Sequence, residues 1–166
     1  YPILSVFHAN SGGHTAPSED AWQARISYLR GRPDPYSLEG PSAHWEKRIL
    51  KKDMLNYLSS KSGLPSDDIR LTKSLLNIPE GQRIGTLDLG DKKVKTRDIR
   101  ARFKLRSAFF SVQDDGDYFK LYGRGFGHGV GMSQDGAMVM ASKGYKYREI
   151  LSFYFIDIEF DVVQNL

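Results

Sequence analysis

Apolar residues recur along this chain at both alternating and helical spacings, in short segments. Tyr1 to Phe7 reads as a strand that breaks at Asn10-Ser11-Gly12-Gly13. Ser18, followed by Glu19, Asp20, Ala21 and Trp22, offers the capping hydroxyl and early acids of a short helix. Residues 31–41 hold three prolines and read as a loop. Ser42 then caps a predicted helix with Trp45, Ile49, Met54 and Leu58 on its face and Gly63 at its end. Ile69 to Val94 reads as short strands and turns, broken at Pro79-Glu80-Gly81 and Gly90-Asp91. Thr96 caps a helix that puts Ile99 and Phe103 on one face, and Phe109–Val112 pairs with Tyr118–Tyr122 around Asp114-Asp115-Gly116 as a hairpin. Ser133 caps a helix that stops at Gly144, and Tyr147, Ile150, Leu151 and Tyr154 mark another. Ile156, Ile158, Phe160 and Val162 alternate as a closing strand. With no βαβ rhythm, repeat or linker in this series, the expected fold is one mixed α+β domain over residues 1–166, built of short helices and mainly antiparallel strands.

Composition narrows the function classes. The chain has 166 residues, 40% hydrophobic and 27% charged, ordinary values for a folded domain. No apolar run approaches the roughly 18–20 residues of a membrane span. The chain opens on Tyr1, in what reads as the middle of a strand, so a processing boundary is expected there and the lack of a leader carries little weight. Cysteine is absent, which excludes disulfides and thiolate metal sites. The net charge is +4, and Arg97, Arg100, Arg102, Lys104 and Arg106 mix with Ile99, Phe103 and Leu105 as a solvated helix face would. A nucleic-acid partner is not expected.

Two stretches carry chemistry. In Gly123-Arg124-Gly125-Phe126-Gly127-His128-Gly129-Val130-Gly131-Met132-Ser133-Gln134, five glycines stand at every second position. An extended backbone would put them on one face and Arg124, Phe126, His128, Val130 and Met132 on the other. Such a face suits either tight internal packing or a groove in which Arg124, His128 and Gln134 meet a polar ligand. The third glycine of GxGxxG fails in every register and no Gly-Lys-Ser/Thr follows, so this is not a phosphate loop. The second stretch is His8-Ala9-Asn10-Ser11-Gly12-Gly13-His14-Thr15, where Ser-Gly-Gly can turn sharply and free backbone N–H groups for an anion or hydroxyl. His8 and His14 lack an evident third metal ligand nearby, so no metal is expected. Ser11 and Ser133 lie in no Gly-x-Ser-x-Gly elbow, and a hydrolase triad is rejected.

Taken together and in order, these stretches resemble the stage II sporulation protein D family, whose related members are called amidase enhancers. Phe7 to Thr15, Glu19-Asp20-Ala21-Trp22, Tyr28-Leu29 and Pro33-Asp34-Pro35-Tyr36 carry the first part of the match. Trp45, Arg102 to Ser107, Phe110, Gly123 to Gln134, Gly136-Ala137, Met140-Ala141, Gly144 and Tyr147 to Leu151 complete it. The resemblance implies a cell-envelope, extracytoplasmic protein that acts on peptidoglycan, with glycan strands as the partner. Sporulation-type members are lytic transglycosylases of glycan strands stripped of stem peptides, and amidase enhancers assist cell-wall hydrolases. One protonated glutamate can donate to the glycosidic oxygen and then, as base, help the 6-hydroxyl close an anhydro ring. In the family that glutamate lies upstream of the Ser-Gly-Gly strand; no residue here matches it, so this chain is expected to lack that N-terminal segment and no catalytic residue is assigned. Zinc-binding members use cysteine among their ligands, which this chain does not contain. The expected substrate-binding residues are His8, Ser11, Gly12, Gly13, Arg124, His128, Ser133 and Gln134, with no cofactor. The alternative is a non-catalytic peptidoglycan-binding module that enhances a cell-wall amidase.

Overall fold

A computed structural model describes residues 2–22 and 24–161. In chain order the elements are β1 (Phe7–His8), α1 (Ser18–Ala21), a 3-10 turn at Pro35–Ser37, β2 (His44–Leu50), α2 (Lys51–Ser62), α3 (Ile69–Leu76), β3 (Thr86–Asp88) and β4 (Lys93–Lys95). There follow α4 (Thr96–Phe103), β5 (Phe110–Asp115), β6 (Tyr118–Arg124), β7 (Met132–Ser133), α5 (Gln134–Ser142) and α6 (Tyr147–Tyr154). The result is a single mixed α+β domain. β6 sits between β2 and β5 in an antiparallel sheet, β3 and β4 form a small hairpin, and β1 pairs with β7 in parallel.

Several elements differ from the sequence expectation, each for a local reason. Residues 44–50 form strand β2, and the helix starts only at Lys51. Trp45 and Ile49 are four apart, a spacing that fits one face of a helix and also one face of a strand. Between them the Lys47 ammonium donates to the Phe103 carbonyl at 2.7 Å. Residues 69–76 form helix α3, where short strands and turns were expected. The Asp68 carboxylate caps it by accepting from Arg70 N at 2.9 Å, and Leu71 and Leu75, one turn apart, are fully buried. Thr96 and Ser18 open their helices without capping them. Thr96 donates to the Ile84 carbonyl at 2.9 Å, and Ser18 accepts from Ile26 N at 2.8 Å. The first strand is reduced to Phe7–His8, and residues 156–161 form no strand. Tyr1 and Val162 lie outside the described residues. The hairpin, α4, α5 with its Ser133 cap and α6 are found where the periodicity puts them.

Two hydrophobic clusters organise the fold. One joins the three-stranded sheet to α2, α3 and α4 through Met54, Leu58, Leu71, Ile99, Phe119 and Leu121. The other packs α5 and α6 around Leu29, Val130, Met140, Tyr154 and Phe155. Burial at this density stabilises each by roughly 1.5–3 kcal/mol per fully enclosed large side chain. The glycine-rich stretch runs from β6, in the first cluster, to β7 and α5, beside the second, so anything it lines sits at their junction.

Candidate functional site

The Ser-Gly-Gly and glycine-rich stretches lie side by side. Asn10 N donates to Phe126 O at 3.1 Å and Phe126 N donates back to Asn10 O at 2.8 Å; Ala16 N donates to Gly129 O at 2.7 Å. The glycine stretch is nevertheless not an extended strand. Gly125, Gly127, Gly129 and Gly131 have φ of 77°, 107°, 83° and 72°, so the backbone turns at every second residue and the two-faced alternation expected from the sequence does not form.

The turning places two histidines on one residue. His8 donates from Nδ1 to the Val130 carbonyl at 3.1 Å, while His128 Nδ1 accepts from Val130 N at 3.0 Å. The ring centroids lie 5.5 Å apart, and the Trp22 ring lies 5.3 Å from that of His128. His8 is 4% exposed, and its Nε2 has no hydrogen-bond partner among the described residues. Burial, then the His128 ring and Arg83 nearby, hold His8 at a pKa of about 3. Burial lowers His128 too, with the Phe7 carbonyl acting in the opposite sense. Because His8 takes a proton more readily unfolded than folded, stability is full above its unfolded value of 6.5 and is lost as pH falls from there towards 3. A melting-temperature profile should therefore show about 2 kcal/mol lost through His8 by pH 5. His8→Gln, whose amide can still donate to Val130 O, should flatten it; an unchanged slope would remove His8 as the cause.

His128 also forms one wall of a small cleft at the junction of the two clusters. The cleft has a volume of about 50 Å³, and its polar walls are Asp20, Arg83, Thr96, Arg97 and Arg100. A neighbouring cleft of about 290 Å³ shares Asp20 and Arg83 and adds His14, Thr15, Arg30 and Gly31. Arg83 is fixed by main-chain carbonyls: Nε donates to His14 O at 3.0 Å and Nη2 to Ser11 O at 2.9 Å. Its guanidinium also lies 4.7 Å from the centre of the Phe109 ring. Of the two neighbouring acids, Glu19 is gripped by both Arg30 nitrogens at 2.8 Å, which holds its carboxylate at a pKa of about 2. Asp20 is pushed above its ordinary value, by burial first and the Glu19 charge second.

Behind the cleft lies a buried hydroxyl–carboxyl network. Asp34 Oδ2 accepts from Ser11 at 2.8 Å, Ser37 at 2.5 Å and Tyr154 at 3.1 Å, and Ser37 and Ser133 hydroxyls meet at 2.7 Å. Burial, then the Asp34 carboxyl, push the Tyr154 hydroxyl well above the phenol range. Asn10 reaches from the first motif to the start of α5, donating to Asp135 Oδ2 at 2.8 Å, while its Oδ1 accepts from Gly12 N at 2.7 Å.

The residues singled out in the sequence thus occupy different places. His128 borders the small cleft, with His8 directly behind it. Ser11 and Ser133 are fully buried in the Asp34 network, although the Ser11 carbonyl holds Arg83. Gly12 is buried between the two backbones, and the Gly13 carbonyl accepts from Asp34 N at 2.9 Å. Arg124 lines a separate cleft of about 500 Å³ with His44, Glu80, Phe109 and Tyr122. Gln134 is exposed at the start of α5. Arg83, Arg97, Arg100 and Asp34 were not singled out as site residues. Pro33-Asp34-Pro35 stood in the family resemblance, so Asp34 had a signal; Arg83 sits in an irregular segment with none. Among the described residues, no three His, Asp or Glu side chains converge to hold a metal ion, and no helix is long and apolar enough to cross a membrane.

The chain matches no family model. It is 32% identical over 154 residues to stage II sporulation protein D of Bacillus subtilis strain 168, covering 93% of this chain and 44% of that protein. It is 30% identical over 158 residues to stage II sporulation protein D of Bacillus amyloliquefaciens, covering 95% of this chain and 45% of that one. The amidase enhancer of Bacillus subtilis strain 168 is 22% identical over 203 residues, covering 92% and 29%. The chain therefore spans less than half the length of these curated relatives. A match at 30–32% identity that runs through nearly the whole chain means that this chain belongs to the family of stage II sporulation protein D and the amidase enhancer.

Proposed function

We propose that this chain is the glycan-strand-binding portion of a cell-wall lytic transglycosylase, working outside the cytoplasm on peptidoglycan strands freed of stem peptides. The observation that carries this reading is the pair of adjoining clefts walled by His128, Asp20, Arg83 and His14, formed where the family's two motifs meet. Fixed polar groups around a cleft are what hydroxyl-rich sugars require. No catalytic residue is assigned. Glu19, ionised and clamped by Arg30, is unsuited to donate a proton. A second reading, a non-catalytic module that stimulates a cell-wall amidase, is favoured by the relative named amidase enhancer.

Titration with peptide-free glycan strands tests the first reading. His128→Ala should weaken binding by about 1–3 kcal/mol, but it also strands the Val130 N–H. His128→Asn separates the two effects, because an Asn Oδ1 can accept from the N–H two residues on, as His128 Nδ1 does. The Asn variant should keep the melting temperature and lose affinity. Full affinity in both variants would sink the site. A protein of residues 1–166 should release no anhydro-ended sugars; if it does, Asp20, whose carboxyl pKa is raised by burial, becomes the acid to replace.

A further inference from the structure

The small cleft beside His128 carries more positive charge than its structural bonds use. Arg83, Arg97 and Arg100 line it, and Asp20 is the single carboxylate on its walls among the described residues. The guanidiniums rest mainly on neutral carbonyls: Arg83 on His14 O and Ser11 O, Arg97 on Ala21 O at 2.8 Å, and Arg100 on Leu105 O at 3.3 Å. Arg97 also lies 3.7 Å from the half-exposed Asp98 carboxylate. A carbonyl orients a guanidinium without cancelling its charge, so the cleft keeps an excess of positive charge in a poorly hydrated setting. Burial lowers Arg100 and brings Arg83 to about 10, which leaves Arg83 charged at neutral pH. At about 50 Å³ the cleft is well below the roughly 300–1,000 Å³ of pockets that enclose larger ligands, so it suits one small anionic group rather than a sugar ring. Gly129 keeps this arrangement open, since a Cβ there would lie 2.9 Å from the Arg83 nitrogens.

We propose that this cleft binds a carboxylate, and that on a glycan strand the carboxylate is the lactyl group of a muramic acid whose stem peptide has been removed. This rests on the glycan-binding reading above. When the peptide is attached, the lactyl carbonyl is an amide: it is neutral, and the chain that follows it cannot enter so small a space. Hydrolysis of that amide frees the carboxylate, and paired guanidinium nitrogens can then grip its two oxygens. The cleft would thus read whether an amide hydrolysis has already taken place, and strand selection follows from charge and size.

Three probes test this by titration: peptide-free strands, the same strands with their lactyl carboxylates converted to methylamides, and a chito-oligosaccharide that has no lactyl group. Affinity for the second and third should fall at least about tenfold below the first. Arg100→Met should remove that difference, and Arg100→Lys should keep part of it. Arg83→Met should act likewise, but it also releases the Ser11 and His14 carbonyls, so Arg100→Met, checked for an unchanged melting temperature, is the deciding variant. Equal affinity for native and methylamide strands, or discrimination that survives Arg100→Met, overturns the carboxylate proposal and leaves glycan binding standing. If none of the three probes binds, both fail.

Discussion

Asp34→Ala is expected to destabilise the protein by about 3–5 kcal/mol, the effect of removing a buried group that others depend on. Asp34 is fully buried, and one of its oxygens accepts hydrogen bonds from the hydroxyls of Ser11, Ser37 and Tyr154, which would all lose that acceptor. Ser37 can fall back on Ser133, and Tyr154 on the Ser37 and Ser133 hydroxyls, which moderates the loss; Ser11 has no such second partner among the described residues. The flanking Pro33 and Pro35 restrict the backbone there, so the loop cannot easily close the void. Asp34→Asn preserves volume and should cost less, and Tyr154→Phe about 1 kcal/mol. Denaturant titration reads all three as a lower midpoint at constant slope. A loss below about 1 kcal/mol for Asp34→Ala would show that the network is not what ties the Ser-Gly-Gly turn to α5.

Gly125→Ala is expected to cost about as much, from backbone geometry alone. Gly125 sits at φ 77°, where an alanine pays roughly 1–2 kcal/mol. Its Cβ would also lie 2.5 Å from the Asn10 carbonyl oxygen and 2.8 Å from Gly12 N. Gly12 shows the reciprocal arrangement, with a Cβ there meeting the Arg124 carbonyl carbon at 2.6 Å. Each glycine thus clears space for the other stretch's main chain, which cannot step aside as a flexible side chain would. A combined cost of about 3–5 kcal/mol should lower the melting temperature by roughly 10 °C in a domain of this size. Gly63→Ala is the control: its φ is 77° as well, but nothing lies within 4 Å, so only the conformational strain remains. Equal melting temperatures for the two variants would show that the close approach contributes nothing.

That mutual fit explains why so much of the candidate site was legible in residue order. Glycine at alternate positions is costly unless something must come close, so the glycine stretch marked either tight packing or a groove, and the Ser-Gly-Gly turn a second point of interest. The conformation of the glycine stretch was not legible, since glycine permits left-handed φ and extended backbone alike. Arg124 and His128 show the consequence: they are four residues apart in one stretch but line separate clefts, because the chain turns between them.

By itself, the sequence determined the features that rest on local physics. The hairpin around Asp114-Asp115-Gly116, the Ser133 cap of α5 and the apolar face of α6 each need only neighbouring residues to form. Trp45 and Ile49 remained ambiguous because four residues fit both periods, and the pairing of β2 with β6 decided in favour of a strand. The cleft was decided by tertiary structure alone. Arg83, Arg97 and Arg100 look like ordinary surface cations in sequence, and what makes them a charged wall is burial against carbonyls of residues 11, 14, 21 and 105. Charge excess in a confined space depends on distances through space, and a one-dimensional pattern does not contain them.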